Sequence, residues 1–102
     1  MAKSNELGDP SNPDHFYASL KEKLEVNHNF PEDYLFKFII TNEEKKITEI
    51  YRVFDDIKFT LSTKESKNSK YVSISINAFV LDAAQVISIY KKVGVIEGVM
   101  SL

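Results

Sequence analysis

Hydrophobic residues recur at helical spacing in some segments of this chain and at every second position in others, which predicts helices and strands respectively. Apolar residues three or four positions apart predict helices over residues 13–26, 43–54 and 83–93. Apolar or β-branched residues at every second position predict strands over residues 34–41, 58–63 and 71–78. The last residues, 99–102, are long enough for one further short strand. After the first helix, the predicted order is therefore βαββαβ.

Residues that cap helices mark the ends of these segments. Asn12 is the predicted N-cap of the first helix and Asn42 that of the second. Asp82 and Gln85, three residues apart, form a capping box at the start of the third helix. Gly94 follows the last apolar position of that helix, where we expect it to end the helix.

This order of elements predicts an α+β fold of the ferredoxin-like kind. Two right-handed βαβ crossovers that share one sheet give four antiparallel strands with two helices on one face. The helix at about 13–26 is then an extra N-terminal element. We expect residues 1–11, which are rich in turn formers and poor in apolar residues, to be a flexible tail. Residues 12–102 are predicted to form a single domain.

Composition removes several classes of chemistry. The chain has 102 residues, a net charge of −2 and no cysteine, which excludes disulfides, thiolate nucleophiles, iron–sulfur clusters and cysteine-based zinc sites. Its two histidines, His15 and His28, are too few for a typical metal site. Adjacent carboxylates such as Asp55 and Asp56 point in different directions and do not suit acid–base chemistry. We therefore expect no catalytic residues, no metal and no cofactor.

Hydropathy bears on where the protein works. No apolar run approaches the roughly 20 residues that a membrane-spanning helix needs. The first residues contain no apolar stretch of the kind found in a signal peptide. We expect a soluble protein that resides in the cytoplasm and does not contact membranes.

Three segments resemble a known family. Residues 30–39, the hairpin at 62–76 and the ending at 96–99 are similar to the YbeD-like family, a group of small bacterial proteins of unknown function. The resemblance covers about residues 14–102. It implies a ferredoxin-like fold similar to ACT regulatory domains, and a loose association with lipoate metabolism in one branch.

Two positions depart from what the resemblance implies. Ser69 stands in the hairpin turn where the family usually has glycine. Amino-acid-binding ACT domains usually carry a glycine after their first strand. In this chain Thr41, Asn42 and Glu43 occupy that turn, which argues against direct amino-acid sensing there.

The hairpin between the second and third strands is the predicted ligand site. Its lysines, together with the N–H groups of a turn, can hold a phosphate or carboxylate. The candidate residues are Lys64, Ser66, Lys67, Asn68, Lys70, Tyr71 and Ser73. The competing interpretation is an ordinary solvated loop in which Glu65 offsets part of the charge.

The sheet face opposite the helices is the second candidate surface. It would carry Leu35, Lys37, Ile39 and Ser75, so part of it is apolar and exposed. Exposed apolar patches usually have a use, and we expect a partner or dimer interface. A bare, hydrated sheet surface is the alternative.

These observations favour a non-enzymatic regulatory or adaptor domain, ACT-like, that senses a small anionic metabolite or binds a metabolic protein. The expected partners are a second copy of the chain, such a metabolite or a metabolic enzyme. A protein-interaction module without a ligand is the alternative. An RNA-binding module is less favoured, because the central strand positions hold serines and a lysine where RNA-binding domains of this topology place stacking aromatics.

Overall fold

The computed structural model of the chain describes residues 13–102, and the side chains from His15 onward. Two sequence predictions, Asn12 as a helix N-cap and the flexible tail at residues 1–11, lie outside the described residues. The single domain predicted over residues 12–102 stays a prediction.

Three helices and four strands make up the described chain. Their order is α1 (Pro13–Asn27), β1 (Glu32–Thr41), α2 (Glu44–Val53), β2 (Phe59–Glu65), β3 (Tyr71–Val80), α3 (Ala83–Gly94) and β4 (Met100–Ser101). All the predicted helices and strands are present, and their order after α1 is βαββαβ.

The four strands form one antiparallel sheet in the order β2-β3-β1-β4. β1 and β3 are central and pair along their whole length, from Glu32 opposite Val80 to Thr41 opposite Tyr71. β4 pairs with β1 at two positions. The sheet and its crossovers confirm the predicted ferredoxin-like fold.

One face of the sheet is covered by the helices and forms the hydrophobic core. Its strand residues alternate with those of the other face and are fully or almost fully buried: Phe36, Phe38, Ile40, Val72, Ile74, Ile76, Ala78 and Val80. The helices contribute Leu24, Ile50, Val86 and Val93. α3 contacts both α1 and α2, so it lies between them in the helical layer. The extra N-terminal helix is thus packed onto the domain through α3.

β1, β2 and β3 are longer than the sequence pattern predicted, and β4 is shorter, at Met100–Ser101. β1 begins at Glu32, two residues before the predicted Tyr34, and β3 continues past Ala78 to Val80. The backbone pairing of β1 with β3 carries both strands through these residues. Hydrogen bonding between strands, which hydropathy does not report, sets these ends.

The predicted cap of α2 is wrong. Glu43, not Asn42, is the N-cap residue, and its side chain makes no capping hydrogen bond. Asn42 instead donates from Nδ2 to the carbonyl oxygen of Ser69 at 3.0 Å. Its backbone N–H donates to the carbonyl of Lys70 at 2.9 Å. Asn42 therefore ties the β1–α2 turn to the β2–β3 hairpin.

The ends of α3 follow the sequence more closely. Asp82 Oδ1 accepts a 2.8 Å hydrogen bond from the N–H of Gln85, as the capping box predicts. The amide oxygen of Gln85 reaches back to the N–H of Leu81, one residue before the expected donor. Gly94 is the last helical residue and not the residue after the helix. The left-handed backbone occurs later, at Gly98, with φ 82°.

Candidate functional site

The sheet face opposite the helices, here called the open face, collects the predicted interface residues. Strand pairing puts Lys37 directly opposite Ser75, and Ile39 opposite Ser73. Leu35 lies two residues from Lys37 on the same strand, so its side chain points to the same side. The structure thus brings all four predicted interface residues onto one surface.

The open face carries large apolar side chains that no element of residues 13–102 covers. Leu35 is 53% exposed, Phe79 44% and Met100 61%. Tyr71, at the hairpin end of β3, is also exposed. These side chains lie among serines, threonines and lysines, so the surface mixes apolar and polar groups.

Phe79 and Met100 are open-face residues that the sequence reasoning missed. Phe79 lies opposite Asp33 on β1, and Met100 lies opposite Ile39. The period-two pattern of β3 contained the signal for Phe79, since odd-numbered residues of that strand face away from the core. Met100 could not be assigned to a face without the register of β4.

The turn of the β2–β3 hairpin is held by its own side chains. Ser66 Oγ accepts from the N–H of Tyr71 at 3.0 Å and donates to Asn68 Oδ1 at 3.1 Å. Asn68 Oδ1 also accepts from the N–H of Lys70. Ser69, in the left-handed conformation with φ 58°, closes the turn through its N–H to the carbonyl of Ser66.

These hydrogen bonds occupy groups that the predicted anion site would need. The N–H groups of Ser66, Ser69, Lys70 and Tyr71 all have acceptors within the chain. An anion that used any of these four N–H groups would have to displace a bond already made, which costs free energy. The Ser66 and Asn68 side chains therefore stabilise the turn, and the hairpin lysines remain as the groups that can attract an anion.

A shallow cleft of about 350 Å³ lies on the open face beside the hairpin. It is lined by Ile39, Lys64, Glu65, Ser66, Tyr71 and Ser73. Four of the predicted ligand residues thus meet in one place: Lys64, Ser66, Tyr71 and Ser73. Lys67, Asn68 and Lys70 do not line the cleft. The Lys70 ammonium lies 5.5 Å from the centre of the Tyr71 ring, where it makes a cation–π contact.

The β1–α2 turn, next to the hairpin, holds an ionised carboxylate. The Thr41 hydroxyl donates to Glu43 Oε2 at 2.6 Å, and the Lys46 ammonium lies 3.5 Å from the same oxygen. The Thr41 hydrogen bond and, after it, the Lys46 charge lower the pKa of Glu43. A carboxylate stabilised in this way is a weak base, so this turn has no feature of an acid–base centre.

Two tyrosines meet on the covered side of the sheet. The hydroxyl oxygens of Tyr34 and Tyr90 are 3.3 Å apart, and either can donate to the other. Burial, followed by this hydrogen bond, raises the pKa of Tyr90. The Tyr90 phenol therefore stays neutral at ordinary pH, and the pair joins β1 to α3.

His28 lies at the junction between α1 and β1. Its Nδ1 is 2.6 Å from Glu32 Oε2, and its ring lies beside those of Phe30 and Tyr34. These contacts help to fix the start of β1. Within residues 13–102, no three histidine, cysteine or carboxylate side chains cluster as metal ligands would. None of the described helices is long and apolar enough to cross a membrane.

The fold is similar to those of solved proteins. The solution structure of protein HP0495 from H. pylori matches with a TM-score of 0.61 and 22% identity, over 74% of this chain and 86% of that one. The structure of uncharacterized protein TM1266 from Thermotoga maritima matches with a TM-score of 0.55 and 16% identity, over 70% and 91%. At these identities the likeness establishes the fold alone.

A weaker likeness is to the ACT domain of GTP pyrophosphokinase from Chlorobium tepidum. Its TM-score is 0.49 with 13% identity, over 70% of this chain and 100% of that one. A score this low supports no argument about function. No curated protein matches the sequence.

Comparison of the sequence with models of protein families assigns the chain to a family. The model described as "Protein of unknown function (DUF493)" matches residues 25–102, which are more than half of the chain. It spans β1 to β4 and begins within the last turn of α1. The predicted resemblance to the YbeD-like family is thereby confirmed. This chain belongs to the DUF493 family of proteins of unknown function.

Proposed function

We propose that this chain is a non-catalytic regulatory or adaptor domain whose working surface is the open face of its sheet. The observation that carries the proposal is the set of exposed apolar side chains there, with Leu35, Phe79 and Met100 all more than two-fifths exposed. Apolar groups left in water on a sheet that is well packed on its other face favour association with another surface. The occupant we propose is a second protein.

The charges on the open face favour a different protein over a second copy of this chain. Lys37 and Ser75 lie opposite each other midway along β1 and β3. When a surface packs on itself about a two-fold axis, its centre meets the same centre of the other copy. Two exposed Lys37 ammonium groups would then repel each other. A partner with an apolar patch and a carboxylate placed to meet Lys37 avoids that cost.

A small anionic metabolite is the second candidate ligand, and the cleft beside the hairpin supports it. Its volume of about 350 Å³ lies at the lower end of the range for ligand pockets. Its lining exposes mainly apolar atoms, and its charged side chains are Lys64 and Glu65. For a ligand with an apolar body and a carboxylate or phosphate, Lys64 supplies the pairing cation. Because the N–H groups of Ser66, Ser69, Lys70 and Tyr71 are already bonded, Lys64 would carry most of the recognition.

Neither an enzyme nor an RNA-binding module gains support from this geometry. The aromatic residues of β3 on the open face, Tyr71 and Phe79, are eight residues apart, or about 27 Å along a strand. Bases stacked on adjacent central strands need aromatics much closer together. The open face also lacks converging carboxylates such as an acid–base pair would need.

Paired variants distinguish the two ligands. Partner capture from a lysate of the source organism should be lost with Leu35→Ser and Phe79→Ser together, and retained with Lys64→Ala and Lys67→Ala together. Thermal unfolding against amino acids, small carboxylates, phosphates and lipoyl compounds tests the metabolite, because a ligand bound only by the native state raises the midpoint.

Each outcome decides between the proposals. A midpoint shift that the lysine pair abolishes and the apolar pair leaves unchanged would replace the protein partner with a metabolite. A dimer seen by light scattering and broken by the apolar pair would overturn the argument from Lys37 and restore self-association.

A further inference from the structure

A groove runs between α1 and α3 on the outer side of the helical layer, away from the open face. Its volume is about 510 Å³. It is lined by Tyr17, Ala18 and Lys21 from α1, and by Ala84, Ile87, Ser88, Lys91 and Lys92 from α3. This surface plays no part in the proposed function, so the inference drawn from it goes beyond that function.

The groove is basic although the chain is acidic overall. Among the side chains described, from His15 onward, three lysines line it and no carboxylate does, while the whole chain carries a net charge of −2. Glu25, outside the lining, lies 4.0 Å from Lys21, an exposed contact that neutralises little. The Lys91 ammonium lies 4.9 Å from the centre of the Tyr17 ring. That cation–π contact holds Lys91 beside α1 without cancelling its charge.

The apolar part of the groove is recessed below these charges. Ile87 is 8% exposed and forms the floor. Ala18 and Ala84 flank it, and their short side chains leave the space open. Apolar groups therefore lie at the bottom of the groove, and ammonium groups on long side chains stand at its edges.

We propose that this groove binds an acidic amphipathic helix of a partner protein. A helix can lay an apolar stripe on the floor formed by Ile87 while glutamates or aspartates beside the stripe meet Lys21, Lys91 and Lys92. Two neighbouring helices offer a third one the kind of groove into which helix ridges pack. Charge complementarity then selects an acidic partner.

The shape of the groove favours a helix over the other anionic occupants. A lipid surface is bound by apolar side chains that project beyond the charges, whereas Ile87 is recessed beneath them. This groove is open along its length, so an extended occupant such as a helix can contact more of it than a small ligand can.

A designed peptide provides the probe. It is an 18-residue helix in which leucines are spaced alternately three and four residues apart, so that they form one stripe. Glutamates flank this stripe, and glutamine occupies the other positions. A second peptide carries glutamine in place of every glutamate. Fluorescence anisotropy in 50 mM salt should show that the acidic peptide binds at least about tenfold more tightly than the neutral one, a ratio that falls at 300 mM salt because screening weakens the ion pairs.

Matched charge variants locate the site. Lys21→Glu with Lys92→Glu reverses one charge on each side of the groove and spares Lys91, which contacts Tyr17. We expect affinity for the acidic peptide to fall at least about tenfold. Lys45→Glu with Lys58→Glu makes the same change in net charge on other surfaces, and should alter affinity less than about twofold. Amide chemical shifts on binding should change at Ala84 and Ser88.

Several results would overturn the inference. They are equal binding of both peptides, no binding at about 1 mM peptide, equal effects of the two lysine pairs, or shift changes confined to the open face. Sedimentation of the chain with phosphatidylglycerol vesicles but not phosphatidylcholine vesicles, lost in the groove variant, would assign the groove to a membrane surface instead. Circular dichroism of each variant checks the fold. None of these experiments alters Leu35 or Phe79 on the open face. A result that overturns the groove proposal therefore leaves the proposed function of the open face intact.

Discussion

The two faces of the sheet use the same strands in different ways. On the covered face, residues such as Phe36 and Ile76 are fully buried, and the buried residues of the described chain include no polar or charged side chain. On the open face, Leu35 and Phe79 remain about half exposed beside lysines and serines. Burial on one side supplies the stability, and the other side keeps the exposed apolar groups on which the proposed partner contact rests.

The largest expected effect compares neighbouring residues on the two faces. Phe36 contacts the rings of Tyr34, Phe54 and Tyr90, so Phe36→Ala should lower the free energy of unfolding by about 3–5 kcal/mol. Leu35→Ala should lower it by less than about 1 kcal/mol, since Leu35 is already half exposed. Urea unfolding followed by circular dichroism measures both. Similar losses for the two variants would contradict the division of roles between the faces.

The second prediction concerns the pH dependence of stability. It compares Tyr90, on the covered side of the sheet, with Tyr71, on the open face. The pKa of Tyr90 is raised in the folded state, while an unfolded tyrosine titrates near 10. The folded state then holds its proton more firmly. Stability from this group is therefore complete below pH about 10 and is lost as pH rises towards the folded pKa. We expect Tyr90→Phe to be less stable than the parent at pH 8, by about 1 kcal/mol for the lost hydrogen bond.

At higher pH the difference in stability between Tyr90→Phe and the parent should become smaller or change sign. The phenylalanine variant cannot ionise, so its urea midpoint should fall less between pH 8 and pH 11 than that of the parent. Tyr71→Phe makes the same substitution on the open face, where Tyr71 is exposed, and serves as the control for replacing a tyrosine as such. Parallel pH curves for Tyr90→Phe and the parent would show that burial of Tyr90 has no part in alkaline unfolding.

The smallest effect compares two serines within one hairpin. Ser69 has φ 58°, a conformation that costs a residue with a Cβ atom about 1 kcal/mol. Ser69→Gly should therefore raise the free energy of unfolding by up to about 1 kcal/mol. Ser62 lies in the extended strand β2 opposite Ser75, where Ser62→Gly should lower it by roughly 0.5–1 kcal/mol. Thermal or urea unfolding of the pair tests the prediction, and effects of the same sign would refute it.

The candidate site shows how far the sequence could lead. It assigned Leu35, Lys37, Ile39 and Ser75 to one surface, because alternation along a strand fixes which side chains share a face. It also grouped seven hairpin residues into one ligand site. In the structure these residues do not all serve one site. The Ser66 and Asn68 side chains make hydrogen bonds within the turn, and the Lys70 ammonium makes a cation–π contact with the Tyr71 ring. Side-chain hydrogen bonds within a turn compete with ligands, and their outcome depends on geometry that residue types do not specify.

The sequence alone determined the type and order of the elements, the ferredoxin-like fold and the capping of α3 by Asp82. These follow from local periodicity and local hydrogen bonds, which act between residues close together in the chain. The tertiary structure decided the register that brings Met100 beside Ile39, the bond from Asn42 to the hairpin, and the groove between α1 and α3. Each joins residues far apart in the chain, and their meeting depends on the packing of whole elements.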